Sequence, residues 1–169
     1  MPLTLHEASM AVMIHGFHNL AGVLERARLH AEEQSIDEAQ FLDALLFDDM
    51  MTMRQQVQRA SDTAKRAAIR VAGVADVSML DDEASFADLS RRIEATVAFL
   101  RAVPPEAIDG GADASVALPT GDGNVRTLTG QAYMLEFAVP NFFFHLTTAY
   151  DLLRHKGVPV GKRHFLGWE

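Results

Sequence analysis

Asn141, His145 and Thr148 fall at i, i+4 and i+7 in the run PNFFFHLTTAYDLLRH, a spacing that places all three on one helical face. Leu135, Val139, Phe142, Leu146, Ala149 and Leu153 form the adjacent apolar face, so the polar stripe borders the core. An imidazole at such a border needs partners for its nitrogens, and loss of water lowers its pKa. A neutral His145 could serve as a base, ligate a metal, or sit as a hydrogen-bonded wedge between helices. His15 and His18, in HGFH, stand at i, i+3 on the edge of another apolar stripe. Gly22 continues that edge and permits close approach of a helix or ligand. Asn141, His145, Thr148, His15 and His18 are therefore the expected pocket residues. The alternative is that Asn141, His145 and Thr148 satisfy one another and neighbouring helices.

Three histidines on two helices could hold a divalent metal such as zinc or nickel. No HxxxH pair and no Glu-x-x-His motif accompanies them, so no metal or other cofactor is expected. Asp48 and Asp49 look like paired carboxylates, but helix capping accounts for them. Asp62 and Lys65, at helical spacing, are expected to be solvated.

These residues need helices to position them, and the chain supplies the signals. Thr4 with Glu7 is a capping box, opening a helix with Met10, Met13, Ile14, Phe17, Leu20 and Leu24 on one stripe and an end near Glu33. Asp37 with Gln40 opens a second, with Met50, Met53, Val57, Ala60, Ala64 and Val71 as its stripe and Gly73 as its stop. Asp48 or Asp49 could cap a fresh start there, making a short helix feeding a long one. Ser85 with Asp88 starts a third, which Pro104 and Pro105 end. Thr129 caps the last, which runs to His155 or Lys156 and stops at Gly157 in the left-handed position, followed by Pro159. Pro140 lies inside that last pattern and should kink or break it. Between the third and fourth helices, Val116 and Leu118, then Val125 and Thr127, alternate with polar or small residues around Gly121-Asp122-Gly123-Asn124. That pattern predicts a β-hairpin over about 114–128, which must lean on the helices or another subunit.

The 169 residues, 49% of them hydrophobic, suit one domain spanning 1–169. A formal charge of -8 speaks against nucleic acid, and Lys162, Arg163 and His164 are too small a basic patch to reverse that. There is no cysteine, which excludes disulfides and thiolate chemistry and fits a reducing compartment. No signal peptide or membrane-length apolar run is read, so a soluble cytoplasmic protein without membrane partners is expected. In the tail, 158–169, Phe165, Leu166 and Trp168 should anchor the segment to the bundle or to a second subunit.

The blocks DDMMTMRQQVQRASDTAKRAA and RTLTGQAYMLEFAVPNFFFHLTTAYDLLRHKGVPVGKRHFLG resemble a bacterial family of uncharacterised proteins grouped with the DinB-like superfamily. The resemblance covers nearly the whole chain. It implies an all-α, DinB-like four-helix bundle with a small β-hairpin inserted between the third and fourth helices. That superfamily includes metal-dependent enzymes, some acting on low-molecular-weight thiols, whose metal is held by three histidines. Two of these form an HxxxH pair on the last helix. His145 matches one member of the pair and Ala149 occupies the other, while no histidine lies between Asp37 and Gly73, where the second helix would supply the third. The expected function is thus a helical bundle that binds a small ligand, or forms a homodimer, through the face near Asn141, His145 and the first helix. The rival is a divergent metal-dependent, thiol transferase-like enzyme with a remodelled histidine site. A further reading makes the hairpin and tail dimer-forming elements.

Overall fold

The computed structural model describes residues 2–168; Glu169, the last residue of the expected tail, lies outside them. Thr4 and Glu7 form the expected capping box over a single turn, α1 (Leu5–Ala8). The first helix is not continuous, because Ser9 leaves helical geometry (φ -132°, ψ -73°) and its hydroxyl donates to Leu5 O at 2.6 Å. The long helix α2 (Met10–Gln34) follows and ends on Ser35 in the left-handed region (φ 53°).

The second helical region splits, as one of the readings allowed, into a short α3 (Ala39–Leu42) and the long α4 (Met53–Ala72). Its caps differ from expectation. Asp37 accepts from Ala39 N instead of forming a box with Gln40, and neither Asp48 nor Asp49 caps α4. Thr52 does, in a reciprocal box with Gln55. Met50, expected on the α4 stripe, lies in the preceding loop.

Helix α5 (Phe86–Ala102) begins at Ser85, whose hydroxyl accepts from Asp88 N at 3.1 Å. Pro105 then takes the first position of a further short helix, α6 (Pro105–Gly110), where its missing N–H costs nothing. Asp109 of α6 accepts from His6 N at 2.8 Å, tying the N-terminal turn to this corner.

Strands β1 (Ser115–Pro119) and β2 (Val125–Thr129) form the hairpin, antiparallel with Val116 opposite Leu128 and Leu118 opposite Arg126. Val116 and Leu118 point inward and are buried, so the hairpin leans on its own bundle. At its tip Asp122 accepts hydrogen bonds from Thr120 and Asn124, which hold its carboxyl down to about 2.

The last helix is composite. Thr129 caps a first turn, α7 (Gly130–Ala132), then comes a π-helical stretch, Tyr133–Ala138, then α8 (Val139–His155). Val139 N reaches back five residues to Met134 O, and Pro140, with no N–H to give, follows at once. The break expected at Pro140 is therefore a widened turn immediately before it. Beyond α8, Gly157 is left-handed (φ 94°) and Val158 N returns to Leu153 O at 3.1 Å.

The long helices close a ring in which α2 packs on α5, α5 on α4, α4 most extensively on α8, and α8 on α2. Their apolar stripes meet in one core that includes Met13, Phe17, Val57, Ala64, Leu89, Ile93, Phe142 and Leu146. Gly16 lets α8 approach α2 closely, since a Cβ there would lie 2.7 Å from the Phe142 ring. The tail turns into α9 (Lys162–Phe165), with Phe165 edge-on to Tyr150; Trp168, expected to anchor, is 69% exposed. Among the described residues no helix is long and apolar enough to cross a membrane.

Candidate functional site

The face of α8 that carries Asn141, His145 and Thr148 looks at α4, not at α2. His145 Nδ1 lies 2.8 Å from Gln56 Oε1, and Gln56 Nε2 donates to Met51 O at 3.1 Å. That second bond fixes the amide orientation, so His145 is assigned as the Nδ1–H tautomer with Nε2 a bare acceptor. Burial, and then the positive charge of Arg59, hold its pKa below the ordinary 6.5. Asn141 Nδ2 donates to Thr63 Oγ1 at 2.8 Å, and Thr63 donates onward to Arg59 O at 2.7 Å. Thr148 is buried and donates to Phe144 O in its own helix at 2.7 Å. The three stripe residues thus share a face without bonding one another. Two of them are satisfied by α4 and one by its own helix.

His15 and His18 lie apart from this face. His15 is exposed beside Asn19, at 3.3 Å, and His18 faces Arg101 of α5 at 3.0 Å. His18, Asn19 and Gly22 instead border an open recess of about 360 Å³ closed by His164 and Gly167 of the tail. Among the described residues nothing lies within 4 Å of a Cβ built at Gly22, so none of them makes the close approach expected there.

This donor set does not fit the three-histidine metal centre that the resemblance implies. His145 could offer only its Nε2, the buried Ala149 stands where a second ligand would be, and the α2 histidines engage other partners. Among the described residues no three His, Cys, Asp or Glu side chains gather closely enough to hold a metal ion.

What the arrangement does build is a recess of about 250 Å³ at the junction of four elements. Thr63, Arg66 and Arg70 come from α4, and Asn141 from the start of α8. Tyr133 and Phe137 of the π stretch, ring centroids 5.7 Å apart, form an aromatic wall. Leu118 and Pro119 of β1 close the last side. Arg70 Nη1 donates to Tyr133 Oη at 3.1 Å, and its guanidinium carbon lies 5.6 Å from the Tyr133 ring centroid. Of the expected pocket residues, only Asn141 lines this recess. The signal for the rest was present in sequence, as Thr63, Arg66 and Arg70 recur at i, i+3 and i+7 on α4. Only the hairpin's position over them reveals its meaning.

A second polar assembly lies outside the expected site. Arg92 of α5 is buried and donates to Glu83 at 2.7 Å and to Leu80 O at 3.0 Å, and pairs with Asp62 and Asp81. Lys65, expected in solvent with Asp62, is buried and donates to Val77 O at 2.8 Å. Asp62 is likewise only 15% exposed. Together these bonds strap residues 76–83 across α4 and α5. Arg92 Nε has no protein partner there.

Fold and site define a DinB-like helical bundle with a short antiparallel hairpin and a polar seam between α4 and α8. A crystal structure of a DinB family member from Shewanella denitrificans superposes with a TM-score of 0.87 at 31% identity, covering 96% of this chain and 92% of that one. The chain belongs to the family described as domain of unknown function DUF1993, which it matches over residues 5–166. No curated protein matches it.

Proposed function

We propose that this protein binds a small organic molecule in the recess between α4, the π stretch, α8 and β1, without a histidine metal centre. The observation that carries this reading is the convergence there of hydrogen-bonding groups and an aromatic wall beside the hairpin. Binding pockets combine an apolar lining with a few convergent polar groups, and π turns are frequent at functional sites. The absence of cysteine supports action in the reducing cytoplasm. The test is a fragment titration followed by amide and methyl NMR. Fragments should perturb Leu118, Phe137 and Asn141 together, and Leu118→Trp, which fills the recess, should abolish the effect while the spectrum stays folded. Perturbations that never involve these residues would dispose of the proposal.

A second reading, self-association, is favoured by one observation: Leu45, Leu46, Phe47 and Met51 are all exposed on the loop before α4. The partner would be a second copy of this chain. Light scattering should then show a dimer that Phe47→Ser dissociates; a monomer at all concentrations contradicts it.

A further inference from the structure

The recess carries an electrostatic signature that narrows the ligand. Arg66 and Arg70 stand at i, i+4 on α4, a like-charge spacing that works against the helix unless something negative lies between the two heads. Little does. Arg66 is 60% exposed and its nearest carboxylate is Asp62, 3.9 Å away. Asp62 already pairs with Arg59 at 3.1 Å and Arg92 at 3.2 Å. Arg70 has no carboxylate partner among the described residues, only the Tyr133 hydroxyl. Because Tyr133 Oη accepts from Arg70, its own hydrogen is left to donate, and no protein acceptor takes it among the described residues. Tyr133 is itself 1% exposed, so that donor is buried. Two guanidinium forks and a free phenolic O–H converge in a chain whose net charge is -8. The fork geometry of arginine matches a carboxylate bidentately. Phe137 and Leu118 also line the recess and offer apolar surface to the body of the same molecule.

Size closes the argument. A volume of about 250 Å³ corresponds to roughly eight water-sized units at about 30 Å³ each, which suits a ligand of on the order of ten non-hydrogen atoms. We infer that the recess takes a small monocarboxylate with an aromatic or compact apolar body. The carboxylate is held between Arg66 and Arg70 and the body lies against Phe137. This rests on the reading that the recess is a ligand site.

The experiment titrates isotope-labelled protein with benzoate, with benzamide as the neutral isostere, and with inorganic phosphate. Benzoate should move the Leu118 and Phe137 resonances saturably, with benzamide and phosphate at least about tenfold weaker. Arg66→Gln, on an exposed side chain that leaves the core intact, should weaken benzoate by about tenfold, the effect of one charge-assisted hydrogen bond. Arg70→Lys keeps the charge but loses the fork, and should weaken it comparably. If benzamide binds as tightly and neither substitution matters, the recess is a neutral-ligand site, which overturns the inference and leaves the broader reading standing. If phosphate matches benzoate, the apolar body plays no part and the inference is also overturned. If benzoate leaves the recess unperturbed, the inference fails outright, and the fragment titration separately decides whether the recess binds anything.

Discussion

Arg92 donates to Glu83 at 2.7 Å with both side chains buried, the arginine 2% and the glutamate 7% exposed. One partner sits on α5 and the other ends the loop that crosses α4, so this pair fixes the loop to the bundle.

Removing one member of a buried pair strands the other, at a cost of about 3–5 kcal/mol. Arg92→Ala should lower unfolding free energy by that amount in urea denaturation. Arg92→Ala with Glu83→Ala should cost less than the sum of the two single changes. Additive losses would show that the two side chains do not act as a unit.

Two glycines on α2 should respond in opposite directions. A Cβ at Gly16 meets the Phe142 ring at 2.7 Å and Leu146 at 3.2 Å, so Gly16→Ala should cost about 1–3 kcal/mol by overpacking. A Cβ at Gly22 meets nothing within 4 Å among the described residues, and Gly22→Ala should gain about 0.5–1 kcal/mol from helix propensity. Thermal or urea melts of the two variants give the signs directly.

At the start of α4, Thr52→Ala should cost about 1 kcal/mol, because the hydroxyl satisfies Gln55 N and the box is reciprocal. Asp49→Ala, at an exposed loop residue that caps nothing, should stay within about 0.5 kcal/mol of zero. Equal effects at the two positions would place the cap elsewhere.

His145 should make stability depend on pH. Its folded pKa is depressed, so the unfolded chain binds the proton more readily. Stability from this group is then fully present above the ordinary 6.5 and falls as pH drops from there toward the folded pKa. His145→Asn keeps a side-chain N–H for Gln56 and cannot titrate. The melting temperature of the native protein, relative to this variant, should decline between pH 7.5 and pH 5. A constant difference across that interval would mean that His145 does not gain its proton on unfolding.

The short-range features were legible in the sequence. Thr4 with Glu7, Ser85 with Asp88, Thr129, and Gly157 before Pro159 all act within one turn of their own position, and each does what its chemistry dictates. Thr52-Met53-Arg54-Gln55 carried the same signature but lay beneath the more conspicuous Asp48-Asp49. What sequence could not disclose depends on segments without periodicity. Lys65 is buried and Asp62 half-buried because residues 76–83 lie over them, and nothing in local spacing announces that crossing. The seam shows the same limit. The helical face shared by Asn141 and His145 follows from spacing, whereas its partners Gln56 and Thr63 depend on which helix α8 meets. Residue type alone associates His15 and His18 with that face, and the order of helices around the ring separates them from it.

The widened turn before Pro140 has a consequence for comparing this chain with other bundles. It absorbs one residue more than an α-helix of the same rise, so everything after it is turned by about 100° relative to a regular continuation. A relative that lacks the extra residue would run through this point as a regular α-helix and present the same rank of side chains to α4. A single deletion within Tyr133–Ala138 would therefore close the turn to α geometry and leave Asn141 and His145 facing Thr63 and Gln56, whereas straightening the turn with every residue kept would swing them away. Residue equivalence on the last helix is thus a matter of phase, and the phase is set by the count between Thr129 and Pro140.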